Sequence, residues 1–408
     1  MGSRQRLLVV PAVLSMAVWL GGAASAVTPP ARPLRIVFLR HDNVYLLDTA
    51  TGTSRALTTR GGHGDIYYPW YEWSPDGRYL LLVRGHQSST VQDLLLLNAD
   101  GAVLRTLAST QVTSIFAPHW ATDANLIAYV ASATPSATVP GNVDHLARLD
   151  VQGRRSPLWS FGEPAGCGGG TSDPSEMLQW TQTGFGSLAM TFYWSTTRHL
   201  AVYTNSLCAG SVDVTDTRSG VTRPLGLHPT LWHEAVVSPS GVIAATIVSA
   251  NSRTIMLTTV QPGAPVHAVG PGELPQWSRD GRFLYLVRRT PGAVLHMVDE
   301  FGNPVDSKTY TTSIWRCNAD GSGLVRLASF DAFGAGPLHL TPDGRALVFA
   351  RVDNSTNLWK HRMAGNRITA DLFARYGPHV SVARLGLDGS LTMLIGDAGM
   401  PAVQPSAT

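Results

Sequence analysis

One short pattern recurs along this chain and limits the folds open to it: a turn, an apolar strand, a second turn and another strand. The clearest copies are WSPDGRYLLLVR from Trp73, WSRDGRFLYLVR from Trp277 and LTPDGRALVFAR from Leu340. Weaker copies begin at Trp120, Trp180 and Val237, and a seventh start stands in MPAVQPSAT, where no strand follows. The apolar segment IVFLR, Ile36 to Arg40, has the converse defect, since no turn precedes it.

The turn residues each have a physical role. Pro presets φ, Asp bonds its own backbone and Gly accepts positive φ. The β-branched and aromatic run after each turn reads as a strand buried on both faces. A second hairpin follows in each unit, as in LDTATGTSRALT from Leu47 and CNADGSGLVRLA from Cys317. Four strands repeated around an axis make a propeller blade. Turn starts lie from 40 residues (Val237 to Trp277) to 64 residues (Leu340 to Gln404) apart, against roughly 40 for a bare blade. The expectation is an all-β, seven-bladed β-propeller, with six blades if the Trp180 region is an insertion. Ala402 to Ser406 would join the blade begun by Ile36, closing the ring and removing its open edges.

Before the ring, Arg4 and Arg6 precede an apolar run, Leu7 to Leu20, and Ala24-Ser25-Ala26 offers a small-residue cleavage site. This reads as a signal peptide over 1–26, then a linker over 27–33 and one propeller domain over 34–408. A secreted or periplasmic location follows, with no stable membrane span. The formal charge of +3 includes the two arginines of the signal, so the remainder carries no electrostatic footprint for nucleic acid.

In such a ring the short Asp-Gly turns all fall on one face and the long connections on the other. The long ones are Ser132 to His145, Arg289 to Ser313, Val352 to Val380, Gly61 to Tyr71 and Gly162 to Met177. Loops on a rigid scaffold are where binding usually resides. Cys167 and Cys208 both fall on this face and are expected to form a disulfide, leaving Cys317 a buried thiol; three free cysteines is the alternative. Tyr68 and Trp70 are candidate stacking contacts for a sugar or peptide, whereas Tyr71 and Trp73 are expected between blades. Lys360, His361, Arg362, Arg367 and Arg375 read either as contacts to an acidic ligand or as a solvated face.

The residues just before the turn starts are read as bordering the central channel: Glu72, His119, Gln179, Val236, Gln276, His339 and Val403. His233 and Glu234 lie slightly earlier on their own inner strand. His119, His339 and Gln276 are candidate ligands for a divalent metal. With Glu72, His233 and Glu234, the two histidines are also candidate bases and acids. Plain channel lining is the alternative.

Trp-Ser-Pro-Asp-Gly with its apolar strand, then Asn-Ala-Asp-Gly and a short strand, resembles the TolB-type propeller repeat. The resemblance covers nearly the whole chain after the signal. It implies a periplasmic or secreted propeller that binds peptides or proteins. TolB carries an α/β domain ahead of its propeller, whereas here the first blade starts almost at once, so the TolB role does not transfer directly. Some propeller lyases acting on uronate oligosaccharides are similar in placing His and Gln around a metal. Propeller-capped serine peptidases share the repeat, but no Gly-x-Ser-x-Gly occurs here. The expected function is non-catalytic binding of a peptide, protein or glycan by a monomer across the long-loop face. The alternative is a propeller lyase or hydrolase.

Overall fold

The computed structural model describes residues 33–62, 66–86, 92–110, 115–133, 143–159, 192–205, 211–219, 221–225, 231–249, 252–261, 263–298, 303–354 and 379–406. They form seven antiparallel sheets, with no α-helix among the described residues. Counting strands outward from the axis, blade one is Gly399–Val403, Arg35–Arg40, Asn43–Asp48 and Thr53–Ala56. Blade two is Ile66–Trp73, Tyr79–His86, Gln92–Asn98 and Val103–Thr110, and blade three is Ile115–Ala121, Ala124–Ala133, Val143–Asp150 and Arg155–Trp159. Blade four is Phe192–Ser195, Leu200–Asn205, Ser211–Asp216 and Thr222–Pro224. Blade five is Leu231–Val237, Val242–Ser249, Ser252–Thr259 and His267–Pro271. Blade six is Glu273–Trp277, Phe283–Val298, Pro304–Asn318 and Val325–Asp331. Blade seven splits its inner strand into Gly334–Ala335 and His339–Leu340, followed by Ala346–Val352, Val380–Gly386 and Leu391–Gly396. Seven blades stand, not six.

The first turn of each clear repeat closes on its own side chains. Ser74 Oγ donates to Asp76 Oδ1 at 2.7 Å and accepts from the Tyr79 amide at 2.9 Å. Ser278 with Asp280, and Thr341 with Asp343, repeat the arrangement. The second strands that follow supply the core, with Leu80 to Val83 and Leu284 to Val287 essentially inaccessible to water. Alternate residues of one strand serve different seams: Leu80 and Leu82 pack with Val37 and Val44 of blade one, Leu81 and Val83 with Trp120 and Ile127 of blade three.

In blades two, three and six the tryptophan before the turn fastens the blade to the previous one. Its indole N–H donates to an inner-strand carbonyl across the seam: Trp73 to Ala402 at 3.1 Å, Trp120 to Glu72 at 3.2 Å and Trp277 to Val236 at 3.2 Å. Ring closure follows the expectation in kind and shifts in bounds, since the C-terminal strand pairing with Arg35–Arg40 is Gly399–Val403.

Two expectations need correction. The inner strand of blade four is Phe192–Ser195, so its turn starts at Trp194 in WSTTRHLAVYTN, and Trp180 lies outside the described residues. The segment Arg289 to Ser313 contains a continuation of the second and third strands of blade six, paired out to Val298 and Pro304. It forms a hairpin arm that stands beyond the sheet on the long-loop face. The ladder passes Pro291 and Gly292 with one bulge between Pro291 and Val294.

Candidate functional site at the long-loop face

The sequence candidates separate into three groups. Glu72 and His119 do meet: Glu72 Oε2 is 3.2 Å from His119 Nδ1, and the Trp70 ring stands edge-on to the imidazole, centroids 5.0 Å apart. They sit one residue before the short turns, however. Their end of the inner strand is about 20 Å, six residues at ~3.3 Å each, from the end that enters from the long connections. Their pairing therefore lies at the short-turn end of the inner strands.

A second group is structural. Tyr68 is 7% exposed and packs with Tyr71 and Trp73 in the seam between blades one and two, so its ring offers no free face for stacking. Burial raises the Tyr71 hydroxyl far above its ordinary value, and that hydroxyl donates to the Met400 carbonyl. Trp70 donates its indole N–H to the Pro118 carbonyl at 2.9 Å and packs between blades two and three. The expected aromatic platform is thus a pair of seam residues. Gln276 donates to the carbonyl of its neighbour Trp277 at 3.0 Å.

The third group does not converge. His339 stands on the inner strand of blade seven and His119 on that of blade three, three blades apart by the shorter way round. Burial lowers the His339 pKa to about 4, which keeps its imidazole neutral near pH 7. His233 and Glu234 lie on the inner strand Leu231–Val237 of blade five, His233 opposite Thr246. Gln179, Cys167 and Cys208 lie outside the described residues, as do Lys360, His361, Arg362, Arg367 and Arg375. The place before the blade-four turn is held by Tyr193 instead of Gln179. Cys317 is buried and free, and burial pushes its thiol pKa up to about 11. Among the described residues no three His, Cys, Asp or Glu side chains are grouped to hold a metal ion, and no helix is long and apolar enough to cross a membrane.

What sequence reading missed is the polar anchor beneath the blade-six arm. Glu273 opens the inner strand of blade six and is 5% exposed. Arg289, from the arm's base, reaches it with Nε at 2.5 Å and Nη2 at 3.1 Å, and Arg253 of blade five bonds it from the other side. The Arg289 guanidinium also lies 5.3 Å from the Tyr310 ring and 5.8 Å from the Phe333 ring. Asn354 then ties Tyr310 to blade seven, accepting from its amide and donating to its carbonyl, both at 3.0 Å. A buried carboxylate with two arginines is stable only as a set, because each lone charge would be costly. These contacts tie the arm's base to blades five and seven. The arm's outer part is exposed, with His296 and Asp306 paired at 2.6 Å across it. The doubled arginine after an apolar strand, LVRR at Leu286 to Arg289, was the available signal.

No protein-family model matches the sequence, and no curated protein matches it. Among solved structures, TolB from Acinetobacter baumannii aligns at 15% identity over 89% of this chain and 79% of that one, with a TM-score of 0.44. An oligogalacturonate lyase from Vibrio parahaemolyticus aligns at 12% identity over 89% and 85%, TM-score 0.51. Prolyl oligopeptidase B from Galerina marginata aligns at 10% identity over 88% of this chain but 48% of that one, TM-score 0.52. This chain spans about half the length of the peptidase. At these identities the likeness is one of fold. Taken with the seven sheets and the closed ring, it makes the chain a seven-bladed β-propeller.

Proposed function

We propose that this chain is an exported, non-catalytic binding module that takes a peptide or protein across its long-loop face. The observation that carries this reading is the arm of blade six. A two-stranded hairpin alone is marginal in water, yet this one is held by a buried three-charge anchor and two aromatic rings. Such investment in fixing an exposed hairpin fits a docking element. The uneven distribution of connections, short turns on one face and long ones on the other, supports the same face. Export rests on the basic, apolar and small-residue succession of residues 1–26.

The test uses the full chain and a variant in which Thr290 and Thr311, opposite each other in the ladder, are joined by Asn-Gly, a two-residue hairpin turn. Both are screened against a displayed random-peptide library and a glycan array. The expected result is peptide binding by the full chain that the shortened variant loses without loss of melting temperature. Binding to neither array, or binding indifferent to the arm, overturns the reading.

A second reading, a lyase or hydrolase, draws on the Glu72–His119 contact, a carboxylate orienting an imidazole. It expects turnover of an oligogalacturonate or peptide probe that His119→Ala abolishes. Absence of turnover in the wild type removes it.

A further inference from the structure

Four blades carry an arginine at one equivalent position of their second strand: Arg40 in VFLR, Arg84 in LLVR, Arg288 in YLVR and Arg351 in VFAR. The equivalence is structural, because Ile36, Leu80, Leu284 and Leu347, four residues earlier in each strand, pair with Val403, Trp73, Trp277 and Leu340. Blades six, seven, one and two are consecutive in the ring. Side chains alternate along a strand, so each arginine shares its facing with the apolar residues that fill the seam toward the preceding blade. All four stand at the long-loop end. At the same position blades three, four and five carry Ala131, Asn205 and Ile247.

The four differ in what satisfies them. Arg84 is neutralised, with Nε at 3.0 Å and Nη2 at 2.5 Å from Asp93 Oδ2. Arg40, Arg288 and Arg351, on three consecutive blades, each have a buried Nε with no hydrogen-bond partner. Arg351 has Asp353 at 3.1 Å from Nη2 and a bond to the Asp331 carbonyl. Arg288 lies over the Trp315 ring at 4.6 Å, and burial lowers its pKa. Neither Arg40 nor Arg288 has a carboxylate partner within ion-pair distance among the described residues. A half-buried guanidinium with an orphaned donor is an unfinished carboxylate site.

We propose that Arg288, Arg351 and Arg40 form an arc that takes the carboxylates of an extended acidic polypeptide laid across the long-loop face. The proposal rests on the binding reading above and names the partner's chemistry. A polypeptide is favoured over an acidic glycan by two observations. Among the described residues the inner strand of blade six pairs with the second strand no further than Val287, while the second strand runs on to Val298 in its ladder with the third, a geometry that suits backbone pairing along the axis-side edge. Among the described residues, the Tyr68 ring that a sugar would stack on is buried.

The experiment measures fluorescence anisotropy of fluorescein-labelled oligoglutamate against the full chain, with oligolysine, a neutral peptide and oligogalacturonate as parallel probes. Oligoglutamate is expected to bind, to weaken as salt rises, and to bind at least tenfold more weakly to Arg40→Gln/Arg288→Gln. Arg78→Gln/Arg282→Gln, on the short-turn face, should leave it unchanged. The double lysine variant, which keeps the charge but not the fork, should fall between. If the glutamine variant melts early, the wild-type preference for oligoglutamate over oligolysine still decides. No oligoglutamate binding, or binding indifferent to Arg40 and Arg288, overturns the arc. If arm-dependent binding of neutral peptides persists in that case, the binding reading survives it. Arginine-dependent binding of oligogalacturonate alone overturns the polypeptide occupant.

Discussion

Asp123 shows how a single degenerate turn residue can carry a junction. It stands where the clear repeats have Asp76 and Asp280, but its carboxylate serves the next blade's turn. Its carboxylate accepts from Ser195 Oγ at 2.6 Å, from the Thr196 and Thr197 amides at 2.9 Å, and from both threonine hydroxyls. Burial alone would raise its pKa, but these bonds from Ser195, Thr197 and Thr196 outweigh it and hold the group well below the usual carboxylate range. A depressed folded-state pKa contributes stability that is fully present above the unfolded value, near 4, and is lost as pH falls through the folded one. Asp123→Ala is therefore expected to cost about 1–2 kcal/mol at pH 7, low for charged hydrogen bonds because the carboxylate is exposed. Thermal melts across pH check it: the gap between wild type and variant should narrow below about pH 4. A gap constant with pH would mean that the carboxylate's charge is irrelevant to the junction.

The inner strands show which elements were legible and which were not. Each turn announces itself through Ser, Pro, Asp and Gly, but the strand before it carries a quieter mark. Pro69, Pro118, Pro275 and Pro401 all sit at a register shift in the inner ladder, and Pro337 lies between the two pieces of blade seven's inner strand. Proline donates no hydrogen bond and is tolerated on the edge strand, whose axis side has no neighbour. Reading that proline two residues before the tryptophan would have marked Leu274–Pro275 and Ala117–Pro118 as inner strands. The missed blade-four start at Trp194 has no such proline, and Ser-Thr-Thr replaces Ser-Pro-Asp. The Glu273 anchor left only the doubled arginine as a trace, because its partners Arg253 and Arg289 lie 20 and 16 residues away, a distance no local motif spans. Glu273→Gln would leave both guanidinium groups facing a neutral amide, a loss of about 3 kcal/mol by analogy with broken buried pairs. Hydrogen exchange should locate it. Faster exchange is expected over the arm's base, Arg288–Thr290 and Thr311–Ser313, with blades two and three unaffected. Uniform protection would place the arm's stability elsewhere.

At the scale of the whole molecule, the sequence count of turns and orphan strands anticipated the ring because a propeller has no free edge only when its ends meet. The junction is more than a shared sheet. The Gln404 amide donates to the Arg35 carbonyl at 2.9 Å, and its side chain donates to the Gly77 carbonyl at 2.6 Å, joining the C-terminal segment to the blade-two turn. Trp73 and Tyr71 also donate to carbonyls of the same segment. Gly77 has φ +67 and would place a Cβ 2.3 Å from the Pro405 carbonyl oxygen. Gly52, in a turn of blade one, has the same φ of +67 with nothing within 4 Å. The two glycines therefore separate backbone strain from closure. Gly52→Ala should cost about 1 kcal/mol, the penalty of a left-handed alanine. Gly77→Ala incurs that penalty and must also push the closing segment away, for roughly 2 kcal/mol more in an overpacked contact. Equilibrium unfolding of the two variants measures the difference, and limited proteolysis locates it: cleavage near Gln404 should accelerate in Gly77→Ala alone. Equal effects at both glycines would mean that the ring is held by its seams, with the C-terminal latch contributing nothing to closure.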